Sequence, residues 1–533
     1  MKKNLSFIIK LYQDFIRTGD KASLEQNHIR LNSFFDSISN SYIPLLQMLE
    51  RLEADGVNFQ LGLVIPPVLC SMLENSEIQE LYIQYLEKRI LLGKKELNRY
   101  KNEPESASYM LVKGILDKYI ELKKQFAGKY EKNLIKQFAE FQKKGFVEIL
   151  ATCATDIFMP HYADLEEALS AQIEIGLQAY KRSFGEIPDG FFLPDFGYVP
   201  GIEKLIRAYG YSYTILHSRS ILLTDNPPAD GIFYPARTEN GLIFYSADLS
   251  FEELVYGEEC YGNACEYRNE NRDIGFEYDL KKLSPVLEQN SARFFTGYKY
   301  WKKDFSNEPD LSYDPMQAAQ RAAKDAQLFL ENREVYLEKA ASFAKNEDYV
   351  VSVCYIDDNK LSRQWSEYLI WLENVLRKAG ALELDLSSLK ALLKKPYELE
   401  KFSPYYSAGA GDGYGENFLS SRNCWMMRYV RKATERMIDL AERFPSDTGL
   451  KTRLLNIGSV ELIIAQSGGL AKMVDEDDFA DYAERRFRLS VNAFTTVFDS
   501  LGSNTVSTEW LTTLESLDTL FPWINYKVFC KKK

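Results

Sequence analysis

The sequence predicts an α/β barrel followed by a helical C-terminal domain, and three observations carry that prediction. Short apolar, β-branched runs alternate with amphipathic stretches of ten or more residues, the pattern of parallel strands with covering helices. The chain has 533 residues, enough for a barrel, which often runs past about 200 residues, plus a companion unit. After about residue 375 the strand-like runs stop and helical periodicity takes over.

The expected strands occupy residues 5–10, 58–64, 147–152, 190–193, 212–216, 293–298 and 349–355. Residues 76–145 are rich in Lys and Glu, with Leu81, Ile83, Tyr85, Leu86 and Ile90 spaced for one helical face, so they form a helical excursion between two strands. Residues 217–290 carry turn signals (Asn226-Pro227-Pro228, Asn240-Gly241, Gly262-Asn263) and predict a loop-rich insertion at the barrel mouth. The barrel then takes residues 1–375 and the helical domain 376–533, with helices over 425–443, 450–465 and 479–501. The glycine-rich stretch 409–415 is a loop and not a phosphate cradle, since no Lys-Ser/Thr pair follows it.

Composition narrows the function. Apolar residues make up 45% of the chain, which supports a full core and excludes disorder as the main state. The formal charge of −12 repels phosphate backbones, which argues against a nucleic-acid partner. There are three histidines (His28, His161, His217) and seven scattered cysteines without a CxxC pair, so neither a metal nor another cofactor is expected. The odd cysteine set reads as reduced thiols in a cytoplasmic protein. Lys10 interrupts the apolar start and no small-residue cleavage site follows, unlike a signal peptide. The most apolar run, 59–73, is cut by Pro66-Pro67, so no membrane partner is expected. With 34 Tyr and 32 Phe, many rings carry one wet edge, as in sugar clefts, though composition alone favours ordinary amphipathic interfaces.

In an α/β barrel, function sits just past the C-terminal ends of the strands. Asp195 follows the run Phe191-Phe192-Leu193-Pro194, where Pro194 stops the strand. Asp357 and Asp358 follow the run ending at Ile356, and strand alternation allows one of the two to face the mouth. The ordinary reading of each is a turn or N-cap aspartate. Two facing carboxylates are also what retaining glycoside chemistry requires, one as nucleophile and one as acid and base.

A series of local motifs makes a family resemblance specific. They are Ser41-Tyr42-Ile43-Pro44-Leu45-Leu46, Ile65-Pro66-Pro67-Val68-Leu69, Ala171-Gln172-Ile173, Phe184-Gly185, and Leu193-Pro194 to Tyr198 with Pro200-Gly201. Further along come Arg272-Asp273-Ile274-Gly275-Phe276, Thr296-Gly297-Tyr298-Lys299-Tyr300, Trp365 with Glu367, and Ala465-Gln466-Ser467. In order and spacing the chain resembles glycoside hydrolase family 57, closest to its α-1,4-glucan branching enzymes, along nearly its whole length. The resemblance implies an incomplete (β/α)7 barrel with a helical C-terminal domain, an α-glucan partner (glycogen, amylose or maltooligosaccharide), and Asp195 as nucleophile with Asp357 as acid/base.

The functional positions depart from the family pattern. The family's nucleophilic Glu is Asp195 here, with Phe192 in place of the preceding Trp; the Glu after the acid/base is Asn359, and the following His is Arg363. The His-Ala-His-like sugar clamp falls on Lys10-Leu11-Tyr12, the Ala-Thr-His motif reads Ala154-Thr155-Asp156, and a His-Ala pair reads Asp325-Ala326. The Trp-Gly-Glu motif falls on Ala410-Gly411-Asp412. By these matches Lys10, Tyr12, Asp156 and Asp412 are the expected substrate-binding positions, with Tyr198, Tyr414 and Trp365 as ring platforms. Each of the three aromatics also has a plain reading as packing, and for Trp365 that means the core.

A Glu-to-Asp change retracts the carboxylate by roughly 1.5 Å, and a misplacement of about 1 Å can cost on the order of 10²-fold in rate. Asp156 adds negative charge beside two carboxylates unless Lys10 or Arg363 pairs with it. The expectation is therefore a family-57 protein that cleaves or transfers α-glucan with retention. The alternative is a catalytically impaired relative that binds α-glucan or a partner in glycogen metabolism. A metal-dependent polysaccharide deacetylase is disfavoured, since no His pair has ligand spacing.

Overall fold

The computed structural model describes residues 1–18, 24–284, 286–287, 292–303, 312–409, 413–446 and 448–532. Nine strands occur among the described residues: β1 (Lys2–Lys10), β2 (Leu61–Val64), β3 (Val147–Leu150), β4 (Gly190–Phe192), β5 (Tyr213–His217), β6 (Ala236–Arg237), β7 (Ile243–Ala247), β8 (Tyr349–Asp357) and β9 (Leu384–Leu386). Seven of them run parallel in the order β3-β2-β1-β8-β7-β5-β4. The ends of this sheet meet where Ala151 bridges Phe191. There the Ala151 amide donates to Gly190 O at 3.0 Å and the Phe192 amide to Ala151 O at 2.7 Å. A nearly closed seven-stranded parallel barrel results.

Strand alternation gives the barrel two buried faces. Ile8, Val64, Leu150, Phe192, Ile215, Ile243, Val351 and Val353 fill the lumen. Phe7, Ile9, Leu63, Ile149, Phe191 and Cys354 face the surrounding helices. A sheet buried on both sides reads as continuous apolar runs, which is why these strands were legible. Leu389 and Leu399 join the lumen cluster from beyond the barrel strands. Tyr245 and Tyr349 donate their hydroxyls to Leu389 O (3.1 Å) and Leu392 O (2.7 Å), fixing this segment across the floor. The chain then climbs to the mouth, where Ser407 pairs with Tyr198 and the Gly409 amide donates to Asp195 O at 2.7 Å.

Two expectations about the strands are corrected. Residues 293–298 form no strand: the buried Asp273 carboxylate accepts from the Thr296 amide (2.9 Å), the Thr296 hydroxyl (2.6 Å) and the Gly297 amide (2.9 Å), wrapping the segment into a loop. These local bonds override the β-prone composition. The remaining barrel strand is β7, which lies inside the expected loop-rich insertion and has turn signals on both sides. Residues 217–290 thus supply part of the barrel wall as well as mouth loops. The strand runs do not end entirely at 375 either, since β9 pairs with β1 at Lys3–Leu5, below the reach of β2.

Between β2 and β3 lie the helices Ser76–Arg99, Ala107–Lys124 and Leu134–Lys143, each started by a side-chain cap from Asn75, Ser106 or Asn133. The C-terminal helices are Cys424–Arg443, Leu450–Ala465, Gly468–Glu476, Ala480–Ser503 and Thr508–Leu517. The stretch Leu450–Glu476, and not 59–73, is the one apolar and long enough to cross a membrane among the described residues. Its apolar window is 83% buried inside the protein, which makes these two helices part of the core.

Buried polar groups tie these helices to the barrel. Gln172 donates to Gln466 Oε1 at 2.9 Å and Gln466 donates to Thr434 Oγ1 at 3.0 Å, so two resemblance motifs meet in one hydrogen-bond chain. Deeper still, Arg17 Nε donates to Asp518 Oδ1 at 2.7 Å, Arg486 joins Asp518 at 2.9 Å, and Arg17 also reaches Glu461 at 3.2 Å. Burial, helped by the charge of Asp518, holds the Glu461 carboxyl well above its usual range. Asp518, although buried, is held below its usual value by Arg486 and Arg17. Removing one partner of such a pair leaves a buried charge uncompensated. Arg17→Ala is expected to lower the unfolding free energy by about 3 kcal/mol in urea titrations; a loss well under about 1 kcal/mol would show that Arg486 alone satisfies Asp518.

Candidate active site

The site is built from strand ends. Lys10 pairs in register with Val64 on β2 and Asp357 on β8. It shares strand parity with the lumen residue Ile8, so its side chain enters the barrel mouth. Asp357 shares parity with Val351, Val353 and Tyr355 and also lines the mouth. Its Oδ1 accepts from the Lys360 amide at 3.2 Å, so it caps the next helix while it faces the cavity. The Asp357 amide donates to the Tyr256 hydroxyl at 2.8 Å, which anchors this strand end. Asp358 turns the other way and is fully buried, accepting from the hydroxyls of Ser41 and Tyr368. Burial pushes its carboxyl up to about 6.

Asp195 sits on a strained turn. Pro194 ends β4, and Asp195 (φ 52°) and Phe196 (φ 54°) both adopt the left-handed conformation. For residues with a Cβ this costs of order 1–2 kcal/mol each. The turn is held by the Phe196 amide on Leu193 O (2.9 Å) and by the Gly409 amide on Asp195 O. Strain concentrated on one carboxylate at the end of a barrel strand marks a candidate functional residue.

Two ammonium groups meet two carboxylates at this mouth. Lys10 Nζ donates to Asp156 Oδ1 at 2.8 Å, with both side chains buried. Lys472, from the helix Gly468–Glu476, pairs with Asp195 Oδ1. Asp195 Oδ2 is buried with no hydrogen-bond partner among the described residues, while Oδ1 carries the ion pair with Lys472. Burial raises the Asp156 carboxyl above its usual range, with the charge of Asp195 adding to it and Lys10 opposing. Burial acts on Asp195 as well, but Lys472 and Lys10 together hold it below its usual value. Neighbouring carboxyls shifted in opposite directions in this way mark a candidate functional site.

Lys10, Tyr12, Asp156, Asp195 and Asp357 line one cavity of about 660 Å³. Tyr355, Tyr256, Asn359, Arg363 and Lys472 complete much of its wall. Three expected substrate contacts are corrected. Trp365 has no exposed surface and packs against Tyr267 (5.3 Å between centroids) and Trp371 (5.7 Å), so it belongs to the core. Tyr198 is buried, with its hydroxyl on Glu203 (3.0 Å) and its ring against Phe244. Tyr414 is exposed beside Tyr406 and lies outside the cavity wall. Asp412 lies outside the described residues.

Lys472 went unrecognised in the sequence, yet a signal precedes it. At Gly468 an added Cβ would come within 2.5 Å of Asp156 O, and at Gly469 it would collide with the Tyr12 hydroxyl. The Gly-Gly pair lets the C-terminal helix start against the barrel rim, and Lys472 follows one turn later. Among the described residues no group of three His, Cys, Asp or Glu side chains is placed to hold a metal ion. None of the three histidines lines the cavity. His217 caps a helix by accepting from the Arg219 amide at 3.2 Å, and His161 is lowered to about 4 by burial.

Comparison with known proteins agrees with this architecture. The model of glycosyl hydrolase family 57 matches residues 6–380, and that of the 1,4-α-glucan branching enzyme C-terminal domain matches residues 429–529. A 1,4-α-glucan branching enzyme of Thermococcus kodakarensis is 24% identical over 522 residues, covering 91% of this chain and 72% of the relative. Among solved structures, the α-amylase AmyC of Thermotoga maritima superposes with a TM-score of 0.90 at 25% identity, covering 100% of both chains. A branching enzyme of Pyrococcus horikoshii superposes with a TM-score of 0.86 at 20% identity, covering 100% of this chain and 98% of the other.

The buried Asp358 gives this site a pH signature. A carboxyl raised above its unfolded value of about 3.9 weakens the fold as pH climbs from there to its folded value, and not below. Asp358→Asn removes that titration. Wild type is expected to lose roughly 2–3 kcal/mol relative to this variant between about pH 4 and pH 6. Parallel stability curves for the two proteins across that window would contradict the assignment.

Proposed function

The chain belongs to glycoside hydrolase family 57, and from its mouth geometry we propose that it cleaves α-1,4-glucosidic bonds with retention and passes the glucosyl unit to a glucan hydroxyl or to water. One observation carries this: Asp195 and Asp357, from opposite parts of the barrel, line the same cavity. Asp195 Oδ1 attacks the anomeric carbon while Asp357 gives its proton to the leaving oxygen, forming a glucosyl ester and releasing the first product. Asp357 then takes the proton of the incoming hydroxyl as its oxygen displaces Asp195, which restores both carboxyls and the original anomeric configuration. The named activities of the relatives, an α-amylase and branching enzymes, support an α-glucan substrate. The seven cysteines are all free thiols, which supports a reducing, cytoplasmic setting.

The hold of Lys472 on Oδ1 bears directly on the first step. The ammonium keeps Asp195 ionised, and it also occupies the oxygen that must approach the sugar, so Lys472 has to swing aside when a glucan enters. This contact, with the shorter Asp195 side chain, favours a slow enzyme and is the specific basis of the second reading, a glucan-binding relative without turnover.

Incubation with amylose, followed by iodine staining, reducing-end assay and debranching, tests the proposal. Either new branches or new reducing ends are expected, and neither at high protein concentration would overturn it. Asp357→Asn is expected to abolish the activity, a loss of at least about 10²-fold. Asp195→Glu restores roughly 1.5 Å of reach and is expected to raise kcat by on the order of 10²-fold. A lower kcat in that variant would show that the backbone has adapted to the shorter acid.

A further inference from the structure

Beside the catalytic cavity lies a second one of about 350 Å³. The two share Arg363 and Asp478 in their walls. These residues form an ion pair at 3.2 Å, with side chains 40% and 50% exposed, and Arg363 also donates to Ser33 Oγ at 3.0 Å. The pair is thus a polar partition between two adjoining hollows and not part of a packed wall.

The second cavity has an apolar lip and a polar floor. Phe276 and Phe295 stand 46% and 37% exposed, with ring centroids 5.0 Å apart. Leaving two such rings in water forfeits the stabilisation that burying them gives. On the floor, Glu270 is gripped by Arg268 (2.8 Å) and Lys299 (2.7 Å); burial opposes its charge, but these two cations outweigh it and hold the carboxyl well below its usual range. Ser33, Asp36 and Asn271 add further polar groups to the wall. Rings on one side and fixed donors and acceptors on the other match a pyranose, whose C–H face is apolar and whose rim carries hydroxyls.

We propose that this cavity is a second glucan subsite, which holds a portion of an α-glucan chain away from the bond undergoing reaction while the chain passes over the Arg363–Asp478 pair. Phe276 and Phe295 form its stacking platform. This rests on the α-glucan reading of the catalytic cavity and adds where a longer chain gains its extra affinity. Neither ring touches the catalytic cavity, so the subsite contributes to binding by chain length alone.

Calorimetric titration of the full chain with maltotriose and with maltoheptaose tests it. Wild type is expected to bind maltoheptaose at least about tenfold more tightly than maltotriose. The double variant Phe276→Ala/Phe295→Ala is expected to lose that margin while its Kd for maltotriose stays unchanged. Both rings are exposed, so its melting temperature should match wild type; if it falls, Phe276→Ala alone is used, with a partial loss expected. An unchanged preference for maltoheptaose in the folded variant overturns the subsite and leaves the glucan reading intact. An equal loss for both sugars overturns it as well. Absence of binding of either sugar to wild type removes the glucan reading itself, and the subsite with it.

Discussion

The arrangement at the barrel mouth depends on one electrostatic constraint: two ammonium groups and two carboxylates, largely withdrawn from bulk water, must neutralise one another. An unpaired ion there would carry a desolvation penalty of several kcal/mol. Lys10 and Asp156 meet that demand within the barrel, but Asp195 obtains its counter-charge from a C-terminal helix. The candidate nucleophile is therefore complete only when the helical region is seated. The close approach at Gly468-Gly469 and the Arg17–Asp518 pair keep that helix on the rim.

By the family resemblance Lys10 stands at a position of the imidazole clamp, and Lys472 adds a second positive charge from the C-terminal region. An imidazole donates or accepts a hydrogen bond with little net field, whereas Lys10 and Lys472 impose full positive charge next to the acids. Positive charge of this kind keeps Asp195 ionised and at the same time opposes the oxocarbenium-like character that a glucosyl transition state develops. The same substitution thus favours a ready nucleophile and disfavours the charge that forms on the sugar. The strained Asp195 turn shows that the scaffold still invests conformational energy in presenting this carboxylate.

Most of the barrel was legible because its strands are buried on both faces and leave unbroken apolar runs. β7 escaped because turn residues flank it and the whole stretch reads as a loop, and 293–298 misled because a single buried acid, Asp273, captures its amides. Of the expected site, Lys10, Tyr12, Asp156, Asp195 and Asp357 come together because strand parity and strand ends place them, and those are properties a linear pattern carries. Tyr198 and Trp365 fell into packing, since nothing in a sequence distinguishes a ring that faces a sugar from one that faces a neighbouring ring. Lys472 was out of reach for a different reason: its partner lies 277 residues away, and only the docking of two regions brings them together.

The central strand pair has a consequence for biogenesis. β1 hydrogen-bonds along its whole length to β8, and Asn4 and Val350 are 346 residues apart in the chain. At about 5–20 residues per second of synthesis, β1 waits tens of seconds on the ribosome with one edge open. Its apolar edge is therefore a natural target for a holding chaperone during translation, and closure of the barrel is a late event set by how far the C-terminal half of the chain has emerged.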